Sequence, residues 1–143
     1  MCSRGTERQV LIMGKKVLAV DFDSQANLTT CFGVENTGEL ENTIGHLMMA
    51  EIEDTKLPVP QRYIRVKDEV NFIPSSIYLS VVDAKFKLEV GAEKMLSEIL
   101  EPLRKKYDYI LIDTGPSLDS LTINALAAAD NVRGKYLRFV FTE

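Results

Sequence analysis

The chain has 143 residues, 17 basic and 21 acidic side chains, a formal charge of −4 and 45% hydrophobic residues. That suffices for one sizeable core and is too short for two ordinary domains. The mixed, slightly acidic charge leaves no electrostatic footprint for nucleic acid on the domain as a whole. Apolar runs fall short of the roughly 20 residues that span a bilayer, and residues 1–8 lack a signal-peptide core. The sequence therefore reads as cytoplasmic and free of membrane. Cys2 and Cys31, the only cysteines, have no metal-ligand spacing, fit a reducing compartment and read as structurally idle.

Residues 1–7 carry no periodicity, and Arg8 to Met13 reads as the last turn of a helix with Gly14 at its C′ position. Val17 to Asp21 is apolar and valine-rich, which predicts a strand buried on both faces. Asn27 to Phe32 reads as a helical turn closed by Gly33, and Glu35 to Glu41 as a polar loop. Asn42 or Thr43 caps a helix through about Ala50, with Ile44, Leu47 and Met48 on one face and His46 as a half-exposed bystander. Pro58 and Pro60 mark a surface connection, and Tyr63 to Val66 a short edge strand.

Val70 to Ile73 is a second buried strand, stopped by Pro74. Ser75 and Ser76 follow it as N-caps, or as ligand contacts. Ser80 to Val90 fits helix or loop equally. Gly91 to Lys106 is helical, with a core stripe of Leu96, Ile99, Leu100 and Leu103 and a break at Pro102. Tyr107 to Asp113 is the third strand, Thr114 to Ser117 a Gly-Pro turn, and Leu118 to Asp130 a helix. Phe139 to Phe141 is strand-like but has no evident pairing partner. This alternation predicts an α/β fold: a mainly parallel sheet flanked by helices, with right-handed crossovers.

Chemistry concentrates where strands end. Asp21 and Asp23 close the first strand, as i and i+2 on one face, and Asp113 closes the third. Ligands in parallel sheets sit just beyond such carboxyl ends. Close like charges need a shared cation or proton. A buried strand ending in Asp has the form of a Walker B element, which orients magnesium through its water shell. The bland alternative is a strand-ending, helix-capping Asp. A phosphate cradle, with glycines before Lys and Ser/Thr at a helix start, is not found. Gly14, Lys15 and Lys16 lead into a strand and read as a turn.

These segments resemble the ParA/MinD/Soj family of deviant-Walker P-loop partition ATPases, over about residues 14–132. GKKVLAVDFDSQANLTTCFG is similar to the family's second strand and its Asp-x-Asp-Pro-Gln-Gly-Asn-Leu-Thr motif. NFIPSS resembles the next strand with its serine-rich end, and YDYILIDTGPSLDSLTINALAAAD the Walker B strand, switch II and following helix. The resemblance implies that Asp23 orients the attacking water, that Asp21 and Asp113 support magnesium, and that Gly115, Pro116 and Ser117 lie on the nucleotide-responsive switch. It implies ATP and Mg2+ as cofactors, slow ATP hydrolysis, self-association around nucleotide, DNA binding by full-length members and a ParB-like partner.

Ser24 and Gly115 stand where the family has proline. The family's opening strand and its Lys-Gly-Gly-Val-Gly-Lys-Thr-Thr loop have no counterpart, so residues 1–143 read as a partial, incomplete P-loop NTPase domain. One lost electrostatic donor costs about 10²- to 10³-fold in rate, so the expectation is a chain inactive on its own. Loss of a central strand also predicts an open sheet edge that invites association. The alternatives are a non-catalytic remnant that engages a full-length ParA-type protein, and a phosphoacceptor receiver domain with Asp113 as acceptor.

Overall fold

The computed structural model describes residues 14–115, 120–129, 131–133 and 138–142. The segments before Gly14, with the helical turn expected at Arg8 to Met13, lie outside the described residues.

Strand β1 (Val17–Phe22) is buried at every position, as its apolar run Val17 to Val20 requires, and Asp21 is buried with it. It pairs in parallel with β3 (Val70–Ile73) on one side and β4 (Tyr109–Thr114) on the other. The short β2 (Arg65–Lys67) runs antiparallel along β3 as an exposed, basic edge. Two further strands, β5 (Asn131–Arg133) and β6 (Arg138–Thr142), complete a six-stranded sheet in the order β2-β3-β1-β4-β6-β5. The expected parallel sheet is thus its centre, and antiparallel strands close both margins.

β6 lies antiparallel to β4, with Ile112 opposite Phe139 and Ile110 opposite Phe141. The side of β4 away from β1 is therefore paired, contrary to the open edge expected there. The partner is a tail segment for which the sequence offered no pairing signal.

Strand alternation divides the core. Leu18, Val20 and Phe22 face a large cluster built with helices α2 (Ile44–Ile52), α4 (Tyr78–Phe86), α5 (Met95–Leu100) and α6 (Ser120–Ala128). Ala19 faces the opposite layer, where helix α1 (Asn27–Cys31) brings Leu28 against Val70 and Phe72, with Phe32 stacked on Phe72 at 4.4 Å. A single helical turn, α3 (Pro60–Tyr63), begins on Pro60 inside the expected connection.

The long helix expected over Gly91 to Lys106 is split. Its ends are 3-10 turns at Ala92–Lys94 and Glu101–Leu103, the second holding Pro102. Its stripe Leu96, Ile99, Leu100 and Leu103 is buried as expected. Cys31 is disulfide-bonded, not the idle thiol expected, so cysteine usage no longer argues for a reducing compartment. Among the described residues no helix is long and apolar enough to cross a membrane.

Candidate functional site

The site is assembled at the carboxyl ends of the three central parallel strands. Alternation along β1 turns Asp21 to the same side as Ala19, the side covered by α1. Asp21 is the direct register partner of Asp113 in β4. Two carboxylates separated by about 90 residues of sequence are thereby neighbours across a strand pair.

Asp21 is fully buried. Its Oδ2 accepts the Thr29 backbone N–H at 2.8 Å and the Thr29 hydroxyl at 2.6 Å, while Oδ1 is buried with no hydrogen-bond partner. Burial pushes the Asp21 carboxyl up to about 7. The two Thr29 bonds oppose that rise, and the charges of Asp113 and Asp23 add to it.

Asp23 follows in the turn between β1 and α1 and is half-buried. Its Oδ1 accepts the Gln25 N–H at 3.1 Å, an Asx-turn, and its Oδ2 accepts the Asn27 amide at 3.4 Å. Its carbonyl accepts the Ala26 N–H at 2.9 Å and the Ser75 hydroxyl at 2.8 Å. Ala26 has φ 54°, the left-handed region that favours glycine, at the position where the resembling motif carries glycine.

Gly115, just past β4, comes up to Asp23: a Cβ placed there would lie 3.5 Å from Asp23 Oδ1. Of the expected site residues, Asp21, Asp23, Asp113 and Gly115 thus meet at the carboxyl end of the central strands, while Pro116 and Ser117 lie outside the described residues.

Two further residues complete the site: Ser75, which the sequence reads as an N-cap or a ligand contact, and Thr29, for which it offers no role. Ser75, buried beyond β3, donates its N–H to Thr29 Oγ1 at 2.9 Å and its hydroxyl to the Asp23 carbonyl. It therefore clasps the β1–α1 turn and is not an N-cap. Ser76 has the helix-start contact, accepting the Tyr78 N–H at 3.3 Å. Thr29 is the second: it accepts from Ser75 while donating to Asp21, and so links the ends of β3 and β1.

Among the described residues no group of three or more His, Cys, Asp or Glu side chains forms a metal cage. Magnesium does not ask for one; it keeps several waters and takes one or two carboxylates. The orphaned Asp21 Oδ1, with two further carboxylates nearby, fits that demand.

A parallel-centred sheet with paired carboxylates at the ends of adjacent strands and a serine-ended third strand defines a P-loop-NTPase-like α/β domain. The AAA domain family profile matches residues 8–133. The chain belongs to that family, and within it to the ParA/MinD-type P-loop ATPases. It is 34% identical over 120 residues to the sporulation initiation inhibitor protein Soj of Bacillus subtilis, covering 84% of this chain and 46% of Soj. It is 33% identical over 123 residues to the chromosome partitioning protein ParA of Myxococcus xanthus, covering 82% and 40%. Among solved structures it superposes on cobyrinic acid a,c-diamide synthase from Mycobacterium smegmatis with bound ATP analog and magnesium. There the TM-score is 0.73 at 30% identity, over 84% of this chain and 47% of that one. The chain spans less than half the length of these relatives.

Proposed function

We propose that these 143 residues form the magnesium- and water-positioning part of a ParA-like partition ATPase domain. The observation that carries this reading is the buried Asp21, register-paired with Asp113, clamped on Oδ2 by Thr29 and uncommitted on Oδ1. In this reading Asp21 and Asp113 hold Mg2+ through its water shell, Asp23 orients the attacking water, and Gly115, Pro116 and Ser117 form the nucleotide-responsive loop. Magnesium, when bound with ATP, neutralises phosphate charge.

The chain's own residues position the rest. Thr29 fixes the rotamer of Asp21, so that one oxygen is spent on structure and the other kept for the ligand. The Gln25 N–H and the Asn27 amide hold the Asp23 carboxylate, and Ser75 pins its carbonyl. Preorganisation of this kind spares reorganisation when charge develops at a reacting phosphate.

The 143 residues contain no Gly-rich loop followed by Lys and Ser/Thr. We therefore propose that they hydrolyse no ATP alone, and magnesium-dependent turnover by the purified chain overturns that proposal. By kinship with partition proteins we propose a cytoplasmic setting, a ParB-like partner and self-association; DNA binding is not proposed for these residues. The kinship sets aside the receiver-domain alternative. The non-catalytic reading, engagement of a full-length ParA-type protein, is favoured by the lack of a phosphate cradle and is tested by co-purification with such a protein.

The metal-positioning reading is tested with Mn2+ in place of magnesium. Amide resonances of residues 20–24, 29 and 112–115 should broaden selectively in the wild-type chain, and broaden far less in Asp21→Asn and Asp113→Asn. Uniform broadening, or the same pattern in both variants, overturns it.

A further inference from the structure

The opposite end of the sheet carries a second concentration of charge, of the other sign. At the amino ends of β1, β3 and β4 lies a cavity of about 390 Å³, walled by Lys15, Lys16, Lys106, Glu69, Asn71 and Tyr107. We propose that this cavity binds a small ligand through a phosphate monoester or free phosphate group.

The chain as a whole is acidic, so three ammonium groups on one concavity run against its composition. The ion pairs among the described residues use Lys85, Lys87 and Arg104; none uses Lys15, Lys16 or Lys106. Three lysines stand against Glu69 on the wall and Asp108, whose carboxylate is held on the Lys16 N–H, so the recess keeps a net positive charge. That sign suits a phosphate monoester, which carries about −1.5 to −2 charge at neutral pH.

The floor is built, not merely charged. Asn71 Nδ2 donates to the Tyr107 hydroxyl at 2.8 Å, bridging from β3 to the entry of β4 across the start of β1. A phenol that accepts a bond still has its own O–H to donate. The Tyr107 proton is therefore available to a ligand oxygen, beside ammonium groups that can donate but not accept.

The backbone bearing Lys16 is fixed as well. Its N–H donates to Asp108 Oδ2 at 2.7 Å, and its carbonyl accepts the N–H groups of Asp108 at 2.8 Å and Tyr109 at 3.1 Å. The volume lies in the range of small-ligand pockets. A walled recess suits a compact anion better than a duplex, which meets extended basic surfaces.

This site is independent of the carboxylate edge. A six-residue strand spans about 20 Å, beyond the roughly 8–10 Å screening length at ordinary salt. The acidic cluster at the carboxyl ends therefore does not cancel the lysines.

The test is an amide-resolved NMR titration of the whole chain with inorganic phosphate and with AMP at low salt. Saturable shifts are expected at Lys16, Val17, Asn71 and Tyr107 with both. Replacing both Lys16→Gln and Lys106→Gln should weaken binding at least about tenfold, the worth of one charge-assisted bond. All three lysines are exposed, and an unchanged amide dispersion certifies the fold of the variant. Lys56→Gln, at a lysine that does not line the cavity, should leave the affinity unchanged. Absence of saturable shifts up to tens of millimolar ligand overturns the proposal, as does equal weakening by Lys56→Gln. Shifts that appear only with a DNA duplex and with neither small phosphate overturn it as well.

Discussion

Thr29 and Asp21 are joined twice: the threonine hydroxyl lies 2.6 Å and its backbone N–H 2.8 Å from the same carboxylate oxygen, Oδ2. The hydroxyl also accepts the Ser75 N–H at 2.9 Å, and Thr29, Asp21 and Ser75 are all buried. The first turn of α1 is thus tied to the ends of two strands through one side chain. Replacing Thr29→Val preserves shape and removes the hydroxyl. It leaves a buried Ser75 N–H unpaired and takes one of two donors from Asp21. Each such loss costs about 1–3 kcal/mol, so the variant should be destabilised by about 2–4 kcal/mol in urea unfolding. Thr29→Ser should recover most of that. Equal destabilisation by Val and Ser would assign the effect to packing of the methyl group.

His46 supplies the pH dependence. Its Nδ1 accepts the Thr43 N–H at 3.1 Å and lies 2.8 Å from Thr43 Oγ1, a capping box at the start of α2, and its ring stacks on Tyr78 at 4.5 Å. Burial lowers the imidazole below its ordinary 6.5, against a smaller upward pull from Glu41. A protonated Nδ1 cannot accept the Thr43 N–H. Below pH 6.5 the unfolded chain takes up the proton before the folded one, so this contribution is complete above 6.5 and lost as pH falls. Gln also serves the third helical position of a capping box. His46→Gln should therefore match wild type at pH 8 and become the more stable of the two at pH 5. Parallel pH profiles of the urea midpoint for the two proteins would refute this.

Gly45 marks where α2 and α4 come closest. A Cβ there would meet the Leu79 backbone N at 3.2 Å, the Leu79 Cα at 3.3 Å and the Tyr78 Cδ2 at 3.3 Å. Backbone atoms cannot yield as a flexible side-chain end can. Gly45→Ala gains about 1 kcal/mol of helix propensity against about 1–3 kcal/mol of overpacking, so a net loss near 1 kcal/mol is expected. Gly38→Ala, where no atom lies within 4 Å, should be near neutral. Reversal of that order in thermal unfolding would show that the helices separate freely.

What could be read from the residues alone divides along the range of the interactions. β1, β3 and β4 announce themselves because central parallel strands read as nearly continuous apolar runs, and Asp21 and Asp113 mark the ends of β1 and β4 within the same run. The stripe from Leu96 to Leu103 and its break at Pro102 are also local patterns. Ser75 reads from sequence only as an N-cap or a ligand contact, because its partners, Thr29 and Asp23, lie about 50 residues away and leave no local trace. His46 reads as a bystander although its partner is only three residues back, because capping boxes are usually recognised by Glu or Gln. The pairing of β6 with β4 was invisible, since Phe139 to Phe141 fits any apolar edge and its register follows from topology.

Asn124 is the plainest case of a residue whose role only the fold reveals. It sits in the Ala- and Leu-rich α6 with 2% of its surface exposed. Its Oδ1 accepts the Leu96 N–H at 3.1 Å, and its Nδ2 donates to the Ala92 carbonyl at 2.6 Å. The Leu96 N–H is a group that the start of α5 leaves without a helical partner, while the Ala92 carbonyl, which already accepts the Met95 N–H, takes the amide as a second donor. One side chain thus satisfies both polarities of a helix start that its own sequence does not cap. Asn124→Ala would strand the buried Leu96 N–H, at about 1–3 kcal/mol, take one of two donors from the Ala92 carbonyl and open a small void. A loss of about 3 kcal/mol is expected, read as a lower urea midpoint at unchanged slope. Asn124→Asp keeps the acceptor for Leu96 but turns the donor into a second acceptor facing the Ala92 carbonyl, and buries a charge. It should be at least as damaging at neutral pH and recover as acid protonates the carboxyl. If Asn124→Ala unfolds like wild type, water must replace the amide at the start of α5, and the side chain does not hold the two helices together.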